Sequence, residues 1–173
     1  MGSNARTAGS SIRARVVAVL VAFSLSTIAP AALGGPKGTE RPLKGACDAT
    51  FAIVNFEPGP PPVQTLAIEL TCHLTHLGLT VGAATQRVTL GPPPFGIATT
   101  IVYVAANGDE LFATFSGHGF PSPDGTAIAF AGATVYSGGT GRFANASGWS
   151  LDAGGASLVT SEGSLEVSGK ISY

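Results

Sequence analysis

Beyond residue 45 the chain alternates apolar and polar side chains in short runs, broken by Gly, Pro and Asn. Thr, Val, Ile, Phe and Gly dominate these runs and no stretch of helical spacing stands out, so the pattern predicts an all-β domain. The first two runs, "ACDATFAIVNF" at 46–56 and "VQTLAIELTCH" at 63–73, flank the turn "EPGPPP". Paired antiparallel, they set Cys47 against Cys72, Ala49 against Leu70, Phe51 against Ile68 and Ile53 against Leu66. The other face then holds Asp48 with Thr71, Thr50 with Glu69 and Val54 with Thr65. One register gives an apolar face and a polar face, and a slip of one residue would mix them.

The run "THLGLTVGAATQRVTLG" predicts a long third strand with a bulge or bend at Gly82. After the turn "GPPPFG", the runs "IATTIVYVAA" and "DELFATFSGHGF" predict a hairpin across Asn107-Gly108, because Asn-Gly suits a two-residue turn of positive φ. That turn sets Val104 on Leu111, Val102 on Ala113 and Thr100 on Phe115, with Tyr103 on Phe112, Ile101 on Thr114 and Ile97 on His118 behind them. Both faces carry large apolar groups, so one is core and the other is covered by a sheet, a tail or a partner chain. "TAIAFAGATVYS", "SGWSLDA", "ASLVTSE" and "GSLEVSGKISY" bring the count to eight or nine strands in meander order. A closed barrel removes the sheet edges of such a chain, and a two-sheet sandwich is the alternative. Gly and Ala inside the strands fit the tight bending of a barrel better.

The N-terminus follows a different pattern. Arg6, Arg13 and Arg15 precede the apolar run "VVAVLVAFSLSTIAPAAL", which ends at Ala29-Pro30-Ala31. That order reads as a secretory signal peptide over residues 1–31, leaving no membrane anchor once it is cleaved, since a spanning helix needs about 20 apolar residues. Residues 32–45 read as a flexible Gly- and Pro-rich lead-in, and residues 46–173 as the barrel domain. Without residues 1–31 the chain carries six basic and ten acidic residues, a net charge of −4. No basic patch remains, which argues against nucleic acid as a partner. The expected location is the periplasm or the extracellular space. Two cysteines in an exported chain point to one disulfide, Cys47–Cys72. Buried thiols or metal ligands are the alternatives, and the register of the first hairpin favours the disulfide.

The segment "GGTGRFANASG", residues 138–148, resembles the Gly-Gly-Thr-Gly-x-Phe-x-x-Ala-x-Gly element of dirigent proteins. Allene oxide cyclases carry a looser version. "THLG" at 75–78 and "ANGDELFATFSG" at 106–117 extend the similarity to small secreted bacterial proteins of the allene oxide cyclase-like type. The resemblance implies a closed eight-stranded antiparallel β-barrel of the calycin type, an apolar central pocket and homotrimers. It assigns Gly138, Gly139, Thr140, Gly141, Phe143, Ala146 and Gly148 a structural role at a strand crossing. The segment itself predicts that Phe143 plugs the end of the core and that Arg142 points outward or ties down neighbouring carbonyls. No catalytic or ligand-binding residue carries over from it.

Other candidates are few. Cys72, His73 and His76 have metal-ligand chemistry, but residues 73 and 76 of a strand point to opposite faces and a disulfide would remove the thiolate. No metal or other cofactor is therefore expected. Asp109 and Glu110 are candidates for calcium or acid–base work, against the plainer reading that they solvate a turn. His118 is a candidate proton donor at a barrel mouth, Tyr103 with Phe112 a candidate ligand wall or subunit contact, and Asn145 opens a glycosylation sequon. Three functions compete: a carrier of a small apolar molecule, an enzyme of the cyclase or isomerase kind, and a packed structural protein with no ligand. The volume and lining of the barrel interior separate them.

Overall fold

The computed structural model describes residues 38–173. The leader expected at 1–31 and the first six residues of the segment 32–45 lie outside the described residues. Eight strands follow one another: β1 (Arg41–Glu57), β2 (Val63–Leu74), β3 (Gly78–Thr89), β4 (Phe95–Val104), β5 (Glu110–Pro121), β6 (Ala127–Gly139), β7 (Ser147–Ser157) and β8 (Glu162–Ser172). Each pairs antiparallel with the next, and β8 returns to β1, closing the barrel. The meander and the closure agree with the all-β expectation, and the sandwich alternative falls away.

β1 starts at Arg41, upstream of the expected boundary at Ala46, because its first residues zip onto β8 from Arg41↔Ile171 onward. Leu43 in that extension is fully buried. The first hairpin keeps the register read from the pattern as far as Ile53↔Leu66, then shifts, so that Asn55 rather than Val54 faces Thr65. Cys47 and Cys72 form a disulfide on the inner wall. The bulge expected at Gly82 is absent: β3 pairs regularly on both sides there. Gly82 makes room instead, since a side chain at this point would press on Leu70 and Tyr103.

The β4–β5 hairpin differs from its expected register by one residue. Ala105 N–H donates to Asp109 O and Gly108 N–H to Ala105 O, which leaves a three-residue loop with Gly108 at φ +85°. The extra loop residue shifts every pair, so Tyr103 faces Leu111, Ile101 faces Ala113, Thr99 faces Phe115 and Gly96 faces His118. Tyr103 and Leu111 therefore point into the barrel together, while Phe112 pairs with Val102 on the outside.

The two ends of the barrel differ. One end carries the 75–77 and 105–109 turns, the 140–146 connection and the C-terminus, and it is filled by Leu43, Leu77, Leu111, Phe143 and Ile171. The other carries the 58–62, 90–94, 122–126 and 158–161 turns, where Ile53, Phe56 and Leu158 stay exposed.

Candidate functional site

The inner wall between these ends encloses a cavity of about 250 Å³. Leu66, Ile68, Ile97, Ile101, Phe115 and Phe130 form most of its side, and Gln64, Leu90, Phe95 and Leu158 stand at the mouth. Its width depends on residues of no volume. Gly132 and Gly117 face each other across β5 and β6, and a side chain on either would strike the Phe115 ring and the opposing backbone. Polar groups on the upper wall satisfy each other, with Thr99 Oγ1 donating to Gln86 Oε1 at 3.1 Å.

The floor is polar. Asp152, on β7, lines the cavity and is only 2% exposed. Thr134 Oγ1 donates to Asp152 Oδ2 at 2.5 Å, whereas Asp152 Oδ1 is buried with no hydrogen-bond partner. A buried, unpaired carboxylate oxygen is costly, of the order of 1–3 kcal/mol for a polar group and more for a charged one. Burial pushes the Asp152 carboxyl above the ordinary aspartate range, and the Thr134 and Ser150 hydroxyls counter this in part. Tyr103 lines the floor from β4. Its phenol is held well above the usual tyrosine range by burial, with Tyr136 and Asp152 adding to the effect. Below the floor the Tyr136 hydroxyl and Ser150 Oγ share a hydrogen bond of 2.9 Å, and burial likewise raises the Tyr136 phenol. Both tyrosines therefore stay protonated at neutral pH.

The pattern of β7 hid this acid. In "SGWSLDAGGAS" the large apolar residues Trp149 and Leu151 share one face and Ser150 and Asp152 the other, so polarity alone favours the wrong face as core. The barrel turns Trp149 (47% exposed) and Leu151 (61% exposed) outward and buries Ser150 and Asp152. The usable signal is size: Gly154 and Ala156 follow Asp152 on the same side, as a crowded inner wall requires.

The residues singled out from the sequence lie elsewhere. His73 is exposed on the outer face of β2, His76 sits on the 75–77 turn at φ +69°, and Cys72 is in the disulfide, so these three are not gathered. His118 faces outward from β5 and does not line the cavity. Tyr103 and Phe112 occupy opposite faces of the wall and form no joint surface. Asn145 is exposed in the 140–146 connection.

Asp109 and the glycine-rich segment belong to one assembly at the filled end. Glu110 N–H donates to Thr140 Oγ1 at 2.8 Å, and Thr140 N–H donates to Glu110 O at 2.9 Å. Arg142 N–H donates to Asp109 Oδ2 at 3.1 Å, and Asn107 Nδ2 donates to the same oxygen at 2.7 Å. These donors, with the Arg142 charge, hold the Asp109 carboxyl below the ordinary aspartate range. Gly138 and Gly141 have φ of +92° and +51°, and a side chain at Gly141 would collide with the Asp109 carboxylate. Gly139 packs on the Glu110 backbone and Gly148 on that of Lys170, while Ala146 is buried. Phe143 is fully buried, edge-on to Tyr173 at 4.9 Å, and the Arg142 guanidinium lies over its ring at 4.6 Å. Arg142 thus ties down a carboxylate and covers the aromatic plug. No family model, curated protein or solved structure matches this chain.

Proposed function

We propose that the protein is an exported carrier that binds a small apolar molecule in the open half of its barrel. The observation that carries this reading is the apolar cavity of about 250 Å³ with a buried carboxylate at its floor. That volume equals about eight waters at about 30 Å³ each, enough for a ligand of roughly ten non-hydrogen atoms. It lies just under the usual range of small-molecule sites, about 300–1,000 Å³. Export draws support from the signal-like leader and from the disulfide. The similarity of "GGTGRFANASG" to the dirigent and allene oxide cyclase element supports kinship with those barrels, including their trimeric state. The outward Val135, Trp149 and Leu151 would suit such a subunit contact.

Isothermal titration with unbranched alcohols from hexanol to decanol tests the carrier reading. Saturable binding to the wild-type chain, lost in Ala84→Phe, is expected, because residue 84 faces the cavity from β3. Binding that survives Ala84→Phe would place the ligand elsewhere.

A second reading, a cyclase or isomerase, is favoured by Asp152 beside Tyr103. A carboxyl and a phenol at the end of an apolar cup are groups that hold or move a proton on a bound substrate. Turnover that Asp152→Asn abolishes without loss of binding would favour it over simple carriage.

A further inference from the structure

The floor of the cavity carries a feature that an apolar ligand alone does not explain. Asp152 is buried and lines the cavity, yet Oδ1 has no partner. The groups around it are Thr134 and Tyr136 on β6, Ser150 on its own strand, Tyr103 on β4 and Val167 on β8. None is cationic, and among the described residues no Lys, Arg or His lines the cavity. The Thr134 hydrogen bond, at 2.5 Å, has the length of a hydroxyl donating to a charged oxygen. One carboxylate oxygen is thus held by the protein as an acceptor, and the other is buried at the cavity floor without a hydrogen-bond partner or a counter-charge.

We propose that Asp152 is the counter-ion for a protonated amine, so that the barrel takes cationic amphiphiles with the ammonium on the floor and the apolar body along the Leu66–Ile97–Phe115 wall. This rests on the carrier reading above and adds the ligand's head group to it. An ammonium supplies up to three donors in one compact charge, which suits a single free oxygen beside hydroxyl and phenol groups. It would also remove the cost of leaving a buried carboxylate unpaired. A neutral alcohol supplies one donor and no charge.

Isothermal titration of octylamine against octanol at pH 7 tests the proposal, since both have about the same apolar body. A charge-assisted hydrogen bond predicts that wild type binds octylamine about tenfold to a hundredfold more tightly than octanol. Asp152→Asn, which keeps the shape of the side chain, should abolish that preference and leave octanol affinity within about threefold. Equal affinities in the wild type, or a preference that survives Asp152→Asn, would overturn the amine assignment while leaving the carrier reading intact. If neither compound binds wild type, both readings fail. Should Asp152→Asn not fold, the wild-type comparison decides alone.

Discussion

The two ends of the barrel are made from the same eight strands and treat their inward side chains in opposite ways. At the end closed by the 140–146 connection, Leu43, Leu111, Phe143 and Ile171 fill the interior completely, and two turns far apart in sequence are tied together through Asp109, Thr140 and Arg142. At the other end Ile53 and Leu158 stay exposed at the rim, and the space between the walls is left open. The dense packing lies where no ligand can enter. The cup is held open because the closed end, the disulfide and the continuous ladder fix the strands around it. A cavity costs contacts that a filled core would have made, and the proposed carrier function rests on this open half.

The largest expected effect comes from emptying the plug. Phe143→Ala should cost about 3–5 kcal/mol and lower Tm by about 10 °C or more. Leu66→Ala, on the cup wall, should cost less, because its side chain already borders empty space. Thermal unfolding of the pair checks this, and equal losses would erase the distinction between the two ends. Next is the disulfide, which closes a separation of 25 residues near the plug. Reduction, or a double Cys47→Ser and Cys72→Ser change, should cost about 3 kcal/mol by loop-closure entropy, seen as a lower urea midpoint.

Asp152 should behave in the opposite sense. Its carboxyl is shifted upward in the folded state, so ionising it opposes folding. The wild-type chain therefore loses this group's share of stability as pH rises from about 4 through the raised native value. Asp152→Asn has no such proton to lose. It should be more stable than wild type at neutral pH, by about 1–3 kcal/mol, with the gain vanishing near pH 4. A neutral-pH gain that persists undiminished at pH 4 would contradict the assignment of the cost to charge. The smallest effect is at Asp109, which is exposed and shifted downward. The stability that it lends is present above about pH 4 and disappears as pH falls through its lowered native value. Asp109→Asn should therefore lower Tm slightly at pH 7 and not at pH 2–3.

How much of this was legible in the sequence varies by strand. The β1–β2 register could be read because Cys47, Cys72 and four apolar pairs share one face, and nothing in the turn upsets it until Val54 bulges. The β4–β5 register could not, because Asn107-Gly108 sits in a three-residue loop in which only Gly108 takes positive φ, and both faces of these strands are apolar. The glycine-rich 138–148 segment reads as a strand crossing, and the connection from β6 to β7 lies within it. Its Arg142 needed Asp109, 33 positions away, to make sense of it. Asp152 was the least visible, because the large apolar residues of β7, Trp149 and Leu151, lie on its outer face and the inner face carries Ser150 and Asp152.

The most direct test of the central claim is a crystal structure of the protein grown with octylamine. The expected result is an alkyl chain along the barrel axis of the open half, with its nitrogen within hydrogen-bond distance of the Asp152 carboxylate and Phe143 unmoved beneath it. A cup collapsed by Phe115 and Phe130, or one that holds only water while the amine sits outside the barrel, would contradict it.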